Sequence, residues 1–192
     1  MAARAIPLAL TLLRAALAPI VVLLAIFLPL PWAFGACLSL AFVSDVFDGA
    51  IARRMGVATD GLRRMDSVAD SIFYAAAVYA VWRLHPDVLL THLPSLGLLA
   101  ALEATRYGID FVKFRREASY HMWSSKLWGI ALFLAFFGVL ARDGDAMLVP
   151  LAIWIGIAAD IEGVAISLVL RNWQTDVPTV LHALRIRRTA AR

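Results

Sequence analysis

No charged residue occurs between Arg14 and Asp45, and Pro29, Pro31 and Gly35 interrupt this apolar run. A helix needs about 20 apolar residues to cross a bilayer, and the uncharged stretch is longer than that. Prolines remove backbone donors and punctuate the chain, so two spans meeting at a tight turn near Leu28 to Trp32 are expected. Composition extends the conclusion to the whole chain. Of 192 residues, 62% are hydrophobic and 17% are charged, against about 25% charged in ordinary soluble domains. Mean hydropathy is +0.79. A soluble domain of this size could not cover its surface with so few polar side chains, so the bilayer is the expected solvent.

The second span runs on to about Arg53. A third is expected from Asp66 to Arg83, a fourth from Leu93 to Phe114, a fifth from Leu127 to Ala141 and a sixth from Met147 to Leu170. Ile6 to Arg14 reads as a short amphipathic helix lying in the interface. The expected fold is therefore all-α: a polytopic membrane protein of six transmembrane helices with a short N-terminal interfacial amphipathic helix. Residues 1–192 form a single integral-membrane domain, in which 172–192 is a basic tail, solvated or headgroup-bound. A cleaved signal peptide is not expected, because the apolar run continues past the small residues Gly35 to Cys37. Cys37 is the one cysteine and forms no internal disulfide.

Of the 18 basic residues, only Arg83 and Arg142 fall in segments on one side of this layout. Lys and Arg collect in cytoplasmic loops, so both termini and the other loops are expected on the cytoplasmic side. The formal charge of +4 is accounted for in this way and by anionic headgroups, and nucleic acid is not an expected partner.

Four carboxylates stand where a membrane helix should have few. Asp45 and Asp48 end the second span, while Asp66 and Asp70 begin the third. Residues three or four apart share a helix face, so each pair projects together, and a short connection makes the two helices antiparallel neighbours. Carboxylates converging in this way repel one another unless cations intervene. All-oxygen ligand sets suit Mg²⁺, Mn²⁺ or Ca²⁺, and four carboxylates are enough for a two-metal site. Gly49 leaves room for a ligand to approach the backbone, and Arg53 can hold a phosphate in bidentate fashion. Divalent metal, arginine and a glycine gap together suggest phosphoryl or nucleotidyl transfer at the membrane surface.

These residues resemble the signature of the CDP-alcohol phosphatidyltransferase family, D-x2-D-G-x2-A-R-x8-G-x3-D-x3-D. Asp45, Asp48, Gly49, Ala52, Arg53, Asp66 and Asp70 fall at its offsets, and Leu62 replaces the second glycine, with Gly61 just before it. Thr11 to Arg14 is similar to the family's N-terminal Leu-Thr-x-x-Arg element. The resemblance implies displacement of CMP from a CDP-linked lipid donor of the CDP-diacylglycerol kind by the hydroxyl of a small alcohol or phosphorylated polyol. It implies Mg²⁺ or Mn²⁺, two ions per site, held by Asp45, Asp48, Asp66 and Asp70, with Asp70 also the catalytic base. Thr11, Gly49, Ala52, Arg53 and Thr59 would bind the CDP donor. A homodimer in a bacterial cytoplasmic membrane, with its site on the cytoplasmic side, is also implied.

A second basic cluster comprises Arg106, Arg115, Arg116 and Lys126, with Lys113 beside it. A phosphorylated acceptor such as glycerol 3-phosphate or inositol phosphate would need such cations, so these four residues are the candidate acceptor site. Bacterial phosphatidylglycerophosphate synthases typically show Gly-Lys-x-Lys-Thr here. This chain reads Ser125-Lys126-Leu127-Trp128-Gly129 and keeps the first lysine. Glu103, Asp110, Asp160 and Glu162 are expected as interior partners or dimer contacts. Two other functions compete with transfer: a cation transporter or channel, which would spread carboxylates over several spans, and a catalytically silent relative.

Overall fold

The structure is a computed structural model that describes residues 2–54, 59–116 and 120–189. Its regular elements are all helices: α1 (Ala2–Phe27), α2 (Pro31–Arg54), α3 (Asp60–Leu84), α4 (Pro86–Thr91), α5 (Leu93–Phe114), α6 (Trp123–Ala141), α7 (Val149–Val169) and α8 (Val180–Thr189). Among the described residues, four segments are long and apolar enough to cross a membrane: Ile6–Phe27, Pro31–Gly49, Trp123–Ala141 and Val149–Val169. Half or more of each such span lies outside the protein interior. Phe27, Trp32, Leu40 and Val43 are among the exposed apolar side chains, as expected where the surrounding solvent is lipid.

Two expectations need correction. Ile6 to Arg14 is not a separate interfacial helix but the first half of α1. Pro7 and Pro19 both lie inside α1 without ending it, and Arg14 faces inward rather than toward headgroups. The segment expected as a basic tail contains α8, whose Ala183 is buried. Ala183 joins Tyr120, Met122, Ile166, Leu170 and Val177 in one apolar cluster.

The helices form two compact units. The first holds 1–90 and 135–146, and the second holds 91–134 and 147–192. In the first, α1 packs against both α2 and α3. The buried residues of α2 include Phe34, Cys37, Leu38, Ala41, Ser44 and Asp48, and those of α3 include Ala69, Phe73, Ala76, Ala77 and Ala80. On α1, Thr11, Arg14, Leu17, Ala18, Val21 and Ala25 are buried. Steps of three and four residues put each set on one face, and the small alanines let helix backbones approach closely where lipid offers no hydrophobic drive to associate. The polar residues Thr11, Arg14 and Asp48 prolong these same stripes toward one end, so helix packing itself brings them together.

In the second unit α5 packs on α7, and α7 on α8. Gly163 of α7 makes the first contact possible. A Cβ there would lie 2.7 Å from the Arg106 Cδ, so the missing side chain is what lets Arg106 cross α7 to reach Asp160.

Candidate active site

Asp45 and Asp48 lie one turn apart on α2, and Asp66 and Asp70 one turn apart on α3. One carboxylate oxygen from each of Asp45, Asp48 and Asp66 lies within 4.8 Å of the others. Asp48 is buried, Asp66 and Asp70 are about one-third exposed (33% and 32%), and Asp45 is the most open at 46%. The sequence-derived pairing of faces is therefore present in the structure.

Sequence reasoning took Arg14 as an orienting charge and as the end of a family element, with no role in the site, yet it sits at the centre of this cluster. Its side chain is 2% exposed, with Nη2 2.6 Å from the Asp48 Oδ2 and Nη1 2.9 Å from the Asp66 Oδ1 and 3.4 Å from the Asp45 Oδ1. Nη1 also donates to Asp70. The Nε is buried without a hydrogen-bond partner. The signal that could have found it was the end position of the Thr11 to Arg14 element, three residues past a threonine that shares its face.

Thr11 Oγ1 donates to the Pro7 carbonyl at 3.1 Å and lies 3.5 Å from the Asp48 Oδ2. The first bond uses the hydroxyl proton, as threonines in membrane helices commonly do. Gly49 follows Asp48 and is half-buried. Ala52 and Arg53 occupy the last turn of α2, but their side chains lie outside the described residues. Thr59 is the N-cap of α3, and its side chain accepts from the Leu62 N–H at 3.3 Å. The residue that replaces the signature glycine thus supplies a capping donor through its backbone, which any residue can do.

The four acceptor candidates all belong to the second unit. Arg106 Nη1 is 3.3 Å from the Asp160 Oδ1, and Nη2 is 3.8 Å from the Glu103 Oε1. Asp160 is fully buried and its carboxylate oxygens have no hydrogen-bond partner, so the Arg106 charge is its compensation. Arg115 is the C-cap of α5, left-handed at φ 56°, and its N–H donates to the Phe111 carbonyl. The Arg116 guanidinium lies 5.4 Å from the Trp173 ring, and the Lys126 Nζ 4.3 Å from the Trp123 ring. Asp110 accepts from the Ser167 hydroxyl at 2.5 Å and from the Tyr120 hydroxyl at 3.4 Å, and Ser124 donates to Glu162 at 2.6 Å. Asp160 is thus the expected interior partner of an arginine, whereas Asp110 and Glu162 accept from hydroxyls instead. Burial, reinforced by the Asp110 carboxylate, pushes the Tyr120 phenol up to about 12.

The donor set is all carboxylate oxygen, and the middle of it already attracts a cation, the Arg14 guanidinium. Both observations fit a hard divalent ion. Fold and site together define a helical membrane protein with a cluster of aspartates, on two helices that both pack against α1, that could hold a cation. A family model described as CDP-alcohol phosphatidyltransferase matches residues 4–183, across both units. The chain belongs to that family. It is similar to the CDP-diacylglycerol--glycerol-3-phosphate 3-phosphatidyltransferase of Pectobacterium atrosepticum, with 34% identity over 143 residues, 71% of this chain and 77% of the relative. No solved structure matches. The protein is an integral-membrane transferase of phospholipid synthesis, in a family whose members generally use divalent metals.

Proposed function

We propose that the chain transfers a phosphatidyl group from CDP-diacylglycerol to the primary hydroxyl of glycerol 3-phosphate and releases CMP. The observation that carries this is the convergence of Asp45, Asp48, Asp66 and Asp70 around one cationic centre, joined to the activity for which the relative is named. Asp45, Asp48, Asp66 and Asp70 would hold two Mg²⁺ or Mn²⁺ ions, whose chemistry is to neutralise the pyrophosphate and stabilise departing CMP. Asp70 takes the acceptor hydroxyl proton. The hydroxyl oxygen then bonds to the phosphorus that carries diacylglycerol, and the bond from that phosphorus to the CMP oxygen breaks.

Thr11, Gly49, Ala52, Arg53 and Thr59 line the donor's nucleotide in this scheme. Thr11 supports it through its place beside Asp48, and Gly49 through the absence of a side chain next to a ligand. Arg115, Arg116 and Lys126 take the acceptor phosphate. Arg106 is left out of that set because its charge is committed to Asp160.

Residues 1–192 work as one domain with six spans, α3 and α5 joining the four apolar helices. Their 25 and 22 residues extend about 37 and 33 Å, enough for a hydrocarbon core of about 30 Å. Both termini and the aspartates face the cytoplasm of a bacterial inner membrane, as the distribution of Lys and Arg supports, and the working form is a homodimer. The test is CMP release by purified protein from CDP-diacylglycerol, with Mg²⁺ or Mn²⁺, across glycerol 3-phosphate, inositol phosphate and serine. Release with glycerol 3-phosphate alone supports the assignment. Release only with another acceptor moves the specificity, and no release with any overturns it.

A further inference from the structure

We propose that Arg14 is a tethered counter-cation, which holds the four aspartates together before a divalent ion binds and gives up its place when one does, freeing Asp70. This inference rests on the metal assignment above. The geometry carries it in three ways. First, charge: four carboxylates surround one guanidinium, at 2.6 Å for Asp48, 2.9 Å for Asp66 and 3.4 Å for Asp45, with Asp70 closer still. The centre remains short of positive charge with Arg14 in place, and a divalent ion satisfies it better than a monovalent one.

Second, fit. An arginine built for permanent pairing offers its planar fork to a carboxylate through two parallel bonds. Here Nη1 alone meets Asp45, Asp66 and Asp70, while Nε is buried with no partner at all. Charge attracts the side chain to this place, and its donor geometry is poorly used there. Third, position: Arg14 lies on the packed stripe of α1, between Thr11 and Leu17, so its Cα is fixed while its long side chain spans the gap to α2 and α3. Such a side chain can leave without moving a helix.

A cation that occupies a site nine times in ten weakens the apparent affinity of a competitor about tenfold. The experiment uses the full chain in detergent, wild type and Arg14→Gln. Mn²⁺ binding is followed by loss of the free-ion paramagnetic resonance signal, and thermal unfolding is recorded in chelator and in saturating Mn²⁺. Arg14→Gln is expected to bind Mn²⁺ about tenfold more tightly, to unfold at much lower temperature in chelator, and to match wild type once saturated with Mn²⁺. Equal loss of stability in both conditions, or unchanged or weaker Mn²⁺ binding, overturns the proposal and makes Arg14 a fixed pillar. Where Arg14→Gln does not accumulate, Arg14→Lys serves. It retains the charge without the fork, and must shift Mn²⁺ affinity in the same direction to a smaller extent. If wild type binds Mn²⁺ and the variants bind no tighter, only the role of Arg14 falls. If no protein binds Mn²⁺, the metal assignment itself falls.

Discussion

Asp48→Asn separates a carboxylate that stabilises the fold from one that exists for a ligand. A buried ion pair usually costs about 3–5 kcal/mol to break from one side, and Asp48 is buried against Arg14 at 2.6 Å. In this cluster the neighbours change the outcome. With an effective dielectric constant near 20, the attraction lost at 2.6 Å is about 6 kcal/mol. Repulsion from Asp45 and Asp66, whose ligand oxygens lie within 4.8 Å, is relieved by about 3.5 kcal/mol each on the same scale. Solvent at the more exposed Asp45 and Asp66 screens part of that relief, so the two effects cancel to within about 2 kcal/mol. Asp48→Asn should therefore unfold in chelator within about 4–8 °C of wild type. It should also lose the stabilisation that Mg²⁺ confers on wild type, and its CMP release should fall about a thousandfold or more, as loss of several kcal/mol of transition-state stabilisation requires. The assays are thermal unfolding in detergent with and without Mg²⁺, and CMP release. A drop in chelator of more than about 4 kcal/mol would refute the reasoning, because it would mean that the carboxylates are not crowded.

Asp70→Asn should retain Mn²⁺ binding at Asp45, Asp48 and Asp66 and lower kcat about 10²–10⁴-fold; a variant that binds no Mn²⁺ would move Asp70 from base to essential ligand. Arg106→Met alone should destabilise by about 3–5 kcal/mol, because it strands the buried Asp160, while Arg106→Met with Asp160→Leu should recover wild-type unfolding. An unchanged KM for glycerol 3-phosphate in the double variant would confirm that Arg106 is committed to the fold, and a raised KM would return it to the acceptor site. Tyr120→Phe should cost about 1–2 kcal/mol at neutral pH through the lost bonds to Ser167 and Asp110. The wild-type phenol holds its proton up to about pH 12, whereas an unfolded tyrosine releases it near pH 10. Between those values the folded state binds more protons, so stability falls as pH rises. Tyr120→Phe should lack that component of the alkaline loss, as unfolding midpoints between pH 9 and 12 would reveal.

Much of the site was legible because its information is local. The interval of three between Asp45 and Asp48, and of four between Asp66 and Asp70, puts each pair on one face whatever the tertiary structure, and α2 and α3 realise both. Pro29 and Pro31 marked a turn that the structure places at Leu28–Leu30, and α5 has the expected bounds because His92 and Pro94 mark its start. Arg14 was not legible, because its burial depends on the register of α1 against residues more than thirty positions away. A charge at the mouth of an apolar run looks the same whether it faces headgroups or aspartates. Likewise three of the ten residues of α8 are arginines, yet its Ala183 and the preceding Val177 are buried, and the Val180 N–H donates to Glu162 on α7 at 3.2 Å. Thr59 shows the reverse case. Family pattern offered it for the donor, while the role that local chemistry makes legible, a threonine just before a helix acting as its cap, is the one the structure displays.

Only Leu28, Pro29 and Leu30 separate α1 from α2, and this bears on how the chain enters the membrane. A connection that short lets the two helices meet as a hairpin as soon as α2 leaves the ribosome, with Arg14 against Asp48 before Asp66 and Asp70 emerge from it. One buried charge then cancels another during insertion, when each alone would be expensive in hydrocarbon. Helix α3 is added to a hairpin in which Arg14 already offsets one of the two α2 carboxylates, and its own two carboxylates bring most of the surplus of negative charge last. Biosynthetic order would thus deliver the apolar scaffold first and the demand for metal only at the end.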